Sequence, residues 1–383
     1  MRILHVTDCY PPRFGGIETQ VHGMATRQQA AGHHVEVVTA TPGHGGVRSG
    51  LDAVDGVPVH RLALRLPAEL PVNPLAPPEL RRILDAGRFD VAHVHLGVVS
   101  PFAVDGMRVL AKAGHPAAVT VHCVWGYLEA AFDVLDHITG WSRRRVAWTA
   151  VSDFAAEPVR RVMGEDVGVI PNGIDPMMWR TQAGPRPAGG PVRVVSAMRL
   201  ARRKRPMAML EVLEAAAAQL PGDLRLEAAL YGEGPRRASL ERHLRRRRLD
   251  WITLPGRRTP TELRAAYASA DLFLSTARLE AFGIAALEGR TAGLPVVARA
   301  DSGVREFIHD GVEGLLADSD EGLAAAVARL AADSVERRRL ADHNRAVEPA
   351  STWDGVLART EEEYLRAIAL AGSGGPSAQQ PSA

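Results

Sequence analysis

Short apolar runs alternate with helix-length segments twice along this chain, and a Gly/Pro-rich break separates the two series. In the first half the runs are RILHVT (2–7), HVEVVTA (34–40), VPVHRL (57–62), DVAHVH (90–95), AAVTVH (117–122), AWTAVS (147–152) and VGVIPN (167–172). They are short, rich in Val and Ala, and mostly followed by Gly, Pro or Asp, as strands buried on both faces are. Segments 16–31 and 100–113 are long enough for crossover helices. After TQAGPRPAGGP (181–191) the pattern restarts with VRVVSAM (192–198), LRLEAALYG (224–232), WITLPG (251–256), LFLS (272–275) and PVVAR (295–299). Repeated β-α units predict an α/β fold of two Rossmann-like domains, each a doubly wound sheet, facing a central cleft. The expected divisions are a domain at 1–180, a linker at 181–191 and a domain at 192–350. Beyond about residue 320 the pattern is helical only. Trp353, Val356, Leu357, Tyr364, Leu365 and Ile368 predict a last helix over 351–370, and 371–383 reads as a disordered tail.

Composition removes several classes. Lys and Arg number 46 against 44 Asp and Glu, a net charge of +2, which excludes a strongly basic nucleic-acid binder. Two cysteines, Cys9 and Cys123, exclude a disulfide scaffold or a zinc ribbon. No apolar run reaches the roughly 20 residues of a spanning helix. The opening MRILHVTD meets Asp8 before any apolar core of signal-peptide length. A cytoplasmic enzyme is the expectation. Lys112 and Lys204 are the only lysines; the remaining basic residues are arginine. Where arginine serves as the general cation, a retained lysine is informative.

In open α/β sheets, ligands collect at the carboxyl ends of strands, on loops and helix N-termini. Four loops there carry the main candidate chemistry. YPPRFGGIETQV follows the first strand, and Gly15 and Gly16 open a helix whose N-terminus suits an anion; a turn needing positive φ is the structural alternative. It is not GxGxxG, which weakens a nicotinamide reading. His122 ends the strand at 117–122, either as a site residue or as a buried structural histidine. His93 and His95 alternate on one strand face, but metal ligation needs further ligands and no partner cluster shows in the sequence. In SAMRLARRKRP, Arg199 and Lys204 stand five apart on a loop entering a helix. A guanidinium and an ammonium there would hold a diphosphate; Arg202, Arg203 and Arg205 alongside suit a solvated basic surface.

The fourth loop is STARLEAFGIAALEGR, with Glu280 and Glu288 around Gly283, which opens an apolar helical run. Glycosidase carboxylates stand about 5–9.5 Å apart. Eight helical steps span about 12 Å, so this pair fits two hydroxyl-gripping carboxylates along an extended ligand better than an acid and a nucleophile. PNGID and YGEGPRR add Asn172 and Gly232 as lesser candidates, each open to an ordinary turn reading.

Together GG-x-E, a strand-ending His, PNGID, R-x4-K and E-x7-E, in that order, resemble the retaining GT-B glycosyltransferases of family four, the large group one family, and bacterial mannosyltransferases within it. The resemblance spans about residues 1–370. It implies an N-terminal acceptor-binding domain and a C-terminal nucleotide-sugar domain. Arg199 and Lys204 would hold the donor diphosphate and assist its departure, and Glu280 would contact hydroxyls of the transferred sugar. The backbone of Phe282, Gly283 and Ile284 would meet sugar or phosphates. Glu288 would grip the ribose, Arg257 would face the base, Gly16 would lie against phosphate, and His122 would sit near the anomeric centre or the C6 hydroxyl. The donor would be GDP-mannose or a UDP-sugar, the acceptor a hydroxyl of a lipid, glycan or small molecule. No metal or other cofactor is expected, and Asp318-Ser-Asp320 reads as a helix start rather than a metal-binding DxD. The approach LSTARLE, with bulky Arg278 and Leu279, departs from the small Ser/Pro residues common in the family.

Two other functions fit the same fold: a nucleotide-sugar epimerase or hydrolase, and a non-catalytic sugar-nucleotide binder. Arg143, Arg144 and Arg145 between Trp141 and Trp148, with Arg81 and Arg82 elsewhere, suggest peripheral membrane contact through a basic-aromatic patch; a solvated surface is the alternative.

Overall fold

The computed structural model describes residues 1–126, 129–139, 141, 145–164, 166–181 and 189–373. The core of the expected linker, most of the expected tail, Arg143 and Arg144 lie outside the described residues.

Two compact units form. The first is Met1–Gly173 together with the chain from Trp353; the second is Ile174–Thr352. In the first, the order is β1 (Arg2–Thr7), α1 (Gly16–Ala30), β2 (His34–Thr39), β3 (Ser49–Val54), β4 (Val57–Leu62), α2 (Pro77–Gly87), β5 (Val91–Leu96), α3 (Pro101–Ala113), β6 (Ala117–Val121), α4 (Glu129–Thr139), β7 (Ala147–Ala150), α5 (Asp153–Met163) and β8 (Val167–Val169). The sheet runs β3-β4-β2-β1-β5-β6-β7-β8, parallel except for the β3–β4 hairpin. That hairpin strand was not anticipated, because SGLDAV has only three apolar residues and all six of its positions are solvent-facing or partly so.

The second unit opens with α6 (Pro176–Trp179), then β9 (Val192–Ala197), α7 (Pro206–Ala217), β10 (Leu226–Tyr231), α8 (Arg237–Arg247), β11 (Ile252–Gly256), α9 (Pro260–Ala268), β12 (Leu272–Ser275), α10 (Ile284–Thr291), β13 (Val296–Arg299), β14 (Gly314–Ala317), α11 (Asp320–Ala332) and α12 (Ser334–Ala346). Its sheet is β11-β10-β9-β12-β13-β14, with every pair parallel. The last helix, α13 (Trp353–Gly372), belongs to the first unit.

The division between units falls at Gly173/Ile174, ahead of the Gly/Pro run rather than within it. Residues 174–180 side with the second unit for a packing reason. Trp179 is buried against Tyr267, ring centroids 5.7 Å apart, and Arg180 pairs with Glu348 at 2.9 Å. On the other side, Gly173 is held by Gln20, whose amide donates to its carbonyl (3.0 Å) and accepts from its N–H (2.8 Å). A Cβ at Gly173 would lie 2.4 Å from the Trp353 indole, so only glycine lets α13 begin there.

The tryptophans of the expected basic-aromatic patch are core residues. Trp141 and Trp148 are 1% and 4% exposed, so neither can enter a lipid surface. Their spacing around the arginines reflects strand β7 and its approach. Arg81 and Arg82 are engaged by Asp85 and Glu79 on their own helix. Among the described residues, no helix is long and apolar enough to cross a membrane.

Candidate functional site

Each sheet has one point where strand order reverses, and the crevice outside the carboxyl ends there is where doubly wound sheets bind ligands. In the second sheet it lies between β9 and β12. The loop after β9 carries Arg199 and Lys204; the loop after β12 carries Glu280. The fold therefore brings Glu280 against Lys204, 76 positions away, with Arg199 on the same loop as Lys204. Lys204 Nζ donates to Glu280 Oε2, and both side chains are largely shielded. Arg199 is exposed and makes no ion pair among the described residues.

Backbone packing fixes these loops. Gly232 has φ 125° and its Cβ would meet the Met198 carbonyl at 1.9 Å; at Gly234 a Cβ would lie 2.5 Å from the Leu200 carbonyl. The Leu200 N–H donates to Glu233 O and the Arg236 N–H to Leu200 O, both 2.9 Å. YGEG is thus the bed on which the Arg199 loop rests, which accounts for both glycines. The Glu280 loop is fixed in the same manner: Gly303 N–H donates to Glu280 O at 2.8 Å, and a Cβ on Gly303 would strike the Ala281 carbonyl.

Gly283 is left-handed (φ 98°, ψ 53°) and starts α10 with no side-chain cap among the described residues. Phe282 is buried, its ring packed against Phe307, so its side chain is not offered to a ligand. Ile284 and Glu288 sit on α10, but Glu280 precedes it. The two therefore are not eight helical steps apart, and helical rise does not set the Glu280–Glu288 separation. Burial pushes the Glu288 carboxyl up to about 8. At neutral pH it is a protonated acid, able to donate as well as accept. Arg257 is exposed just past β11, after Gly256 (φ 83°). Of the neighbouring arginines, Arg202 and Arg203 are exposed. Arg205 instead grips Asp320 through two bonds (2.9 and 2.6 Å) and donates to Thr276 O at 3.1 Å, which gives Asp320 a structural role.

In the first unit, Gly15 is extended (φ 179°), not left-handed, so the turn alternative is wrong. Its need for glycine is spatial: a Cβ would lie 2.2 Å from Glu18 Oε2, the acid of GG-x-E folding back over it. Gly16 is the first residue of α1. His122 follows β6 directly and lines a cavity of about 10 Å³, room for one water, with Asn172, Gln20, His95 and Thr120. Burial holds its imidazole down to about 4, so it is neutral at physiological pH. Asp8, at the end of β1, accepts from the Phe102 N–H at 3.0 Å and is pushed up to about 7 by burial.

The sequence reading missed the partners behind His122. His95 reaches it at 3.0 Å and His5 reaches His95 at 2.9 Å. The expectation that His93 and His95 lack a partner cluster is corrected: His5, His93 and His95 are all buried, with ligand atoms within 4.8 Å of one another. The alternation HVH was visible; the pairing of β1 with β5 that adds His5 was not.

Comparison with known proteins places this geometry. A family model described as Glycosyltransferase Family 4 matches residues 14–177, and one described as Glycosyl transferases group 1 matches residues 179–347. The chain belongs to this glycosyltransferase family and has its GT-B fold. It is 30% identical to a GDP-mannose-dependent alpha-mannosyltransferase of Mycolicibacterium smegmatis, over 93% of this chain and 95% of that one. It is 28% identical to the GDP-mannose:cellobiosyl-diphosphopolyprenol alpha-mannosyltransferase of Xanthomonas oryzae, over 97% and 98% of the two chains. Among solved structures, Anabaena HepE in complex with UDP and glucose superposes with a TM-score of 0.71 at 19% identity, covering 98% of this chain and all of that one.

Proposed function

We propose that this glycosyltransferase moves a hexose from a nucleoside-diphosphate sugar to an acceptor hydroxyl with retention of anomeric configuration. The preferred donor is GDP-mannose, ahead of a UDP-sugar. The observation that carries the reading is the Lys204–Glu280 pair at the strand-order reversal of the second sheet, with Arg199 on the same loop and the uncapped α10 N-terminus nearby. The mannosyltransferase relatives support mannose; the acceptor is a hydroxyl of a lipid, glycan or small molecule.

In this mechanism the bond from the anomeric carbon to the diphosphate oxygen breaks, and one to the acceptor oxygen forms on the same face. The acceptor proton passes to the leaving diphosphate. Arg199 and Lys204 offset the negative charge that grows there, an effect worth most in a site closed to water. Two side-chain cations supply that charge, so no metal or other cofactor is required. Glu280 orients Lys204 and receives sugar hydroxyls. Glu288 meets the ribose, the turn at Arg257 the base, and the α10 N-terminus the phosphates. In the first unit Gly15, Gly16 and Asn172 shape the loops beside His122. Cys9 and Cys123 form no disulfide with each other, which suits a cytoplasmic setting.

Calorimetry with GDP and UDP, followed by transfer assays with the matching sugars, tests the reading. GDP should bind about tenfold more tightly than UDP, and the product should keep the donor's anomeric form by NMR. Glu288→Ala should weaken nucleotide binding. If no nucleotide raises the melting temperature, the donor assignment fails. Donor turnover to free sugar or an epimer without any acceptor would favour the hydrolase or epimerase instead.

A further inference from the structure

One face of the first sheet is polar where such sheets are ordinarily apolar. Register sets His5 beside His93, His95 beside Thr120, and Thr120 beside Thr149. Gln28 of α1 and Tyr364 of α13 close over them. All six, with His95, are at most 4% exposed.

Their hydrogen bonds form one unbranched path, and its direction follows from its end. The Val119 carbonyl can only accept, so Thr149 Oγ1 donates to it (3.2 Å). Thr149 then accepts from Thr120 (2.7 Å), and Thr120 from His93 Nε2–H (2.7 Å). His93 Nδ1 is left to accept from the Tyr364 hydroxyl (2.9 Å), whose oxygen accepts from Gln28 Nε2 (3.0 Å). The other amide atom, Gln28 Oε1, accepts from His5 Nε2–H (2.8 Å). His5 Nδ1 accepts from His95 Nε2–H (2.9 Å), and His95 Nδ1 from His122 Nε2–H (3.0 Å). Each neutral imidazole has one donor and one acceptor, so every ring in the path is fixed. Burial keeps all four rings neutral, each below its ordinary value.

A metal at His5, His93 and His95 competes with this arrangement. All six of their ring nitrogens are already engaged, and the cluster contains no carboxylate to offset a buried divalent charge.

We propose that this path is a tautomer lock: it holds the His122 proton on Nε2 and presents Nδ1 as a permanent hydrogen-bond acceptor, so the ring recognises a hydroxyl of sugar or acceptor and not a phosphate oxygen. This deepens the function proposed above and rests on it, since it takes His122 to be at the substrate. His95, His5, Gln28 and Tyr364 are positioning residues. Nδ1 of His122 has no hydrogen bond among the described residues.

The test is nitrogen-15 NMR of histidine-labelled protein, with kinetics of transfer. Wild type should show His122 protonated at Nε2 only, unchanged between pH 6 and 8. His95→Leu can neither accept nor donate; it should mix the two tautomers and lower kcat/KM about tenfold, the cost of about one hydrogen bond. His95→Asn sets an amide oxygen near the old Nδ1; it should keep the tautomer and stay within about threefold of wild type. An averaged or Nδ1-protonated ring in wild type, or an unchanged tautomer in His95→Leu, overturns the lock. So does stoichiometric zinc uptake in equilibrium dialysis that shifts the His5, His93 and His95 nitrogens. If the tautomer is as stated but His122→Ala transfers sugar at the wild-type rate, the placement of His122 at the substrate fails separately.

Discussion

Beneath the helices of the first sheet lie His5, His93, His95, Thr120, Thr149 and Gln28, all but excluded from water. Beneath those of the second lie aliphatics: Leu210, Leu213, Leu272, Leu274, Val297 and Leu323 belong to one apolar cluster. The two sheets share a winding rule and differ in how far polarity reaches inward. In the second unit Arg199, Lys204 and Glu280 stand on loops, and the cluster of core residues below them is aliphatic. In the first, a strand-end residue is tied through the core to a helix from the far end of the chain. A buried polar network of that kind is stable only while every member is satisfied.

Acid should separate the two units most strongly. His5 and His122 have folded values of about 4, and His93 and His95 also lie below 6.5. Because these values are depressed, the stability they carry is complete above about 6.5 and is lost as pH falls toward the folded values. Asp8 acts oppositely: raised to about 7, it favours the folded state as pH falls. The four depressed imidazoles outnumber the one raised carboxyl, so the first unit should lose stability as pH falls below about 6.5. The second unit has Glu288 at about 8, which gains stability as pH falls from 8 toward 4.5. Hydrogen exchange at pH 7 and pH 5 should show β1, β5 and β6 losing protection while β9 and β12 hold theirs. Equal loss in both units would dissolve the contrast.

Lys204→Ala comes next in size. It removes one of two proposed leaving-group cations and frees Glu280, at a cost of about 2–4 kcal/mol in the barrier, or roughly thirty- to a thousand-fold in kcat. Since the pair sits on loops above an apolar core, the melting temperature should move by only a few degrees. Turnover at the wild-type rate would remove Lys204 from the reaction. A large fall in stability would mean that the loop is structural.

Strand periodicity made both sheets legible, because a strand buried on both faces must be apolar nearly throughout. The R-x4-K and E-x7-E spacings were legible because a strand-to-helix loop keeps its ligand groups close in sequence. The Lys204–Glu280 contact was not, since it depends on β9 lying beside β12. The same limit hid His5 behind His93, and it hid Tyr364, which read as one apolar position of an amphipathic helix. Gly15, Gly232 and Gly303 were visible as glycines, but not for their reasons. Two need room for a partner's backbone or carboxylate at ordinary φ; Gly232 combines a close approach with a left-handed one. The Gly/Pro run misplaced the division because Trp179, upstream of it, finds its pocket in the second unit.

Two tyrosines give the contrast its finest test. Tyr364 and Tyr267 are both buried to within 1% of complete exclusion, one in each unit. The Tyr364 hydroxyl accepts from Gln28 and donates to His93. The Tyr267 hydroxyl has no hydrogen-bond partner among the described residues. Removing a satisfied hydroxyl strands its partners, and removing an unsatisfied one relieves a cost already carried. Tyr364→Phe should therefore cost about 1–3 kcal/mol by denaturant unfolding, with Gln28 and His93 left unpaired. Tyr267→Phe should be neutral or stabilising by up to about 1 kcal/mol. The rings pack alike in wild type and variant, so the difference reports the hydroxyls alone. Equal costs at both positions would mean that the path through the first sheet contributes no more than ordinary packing.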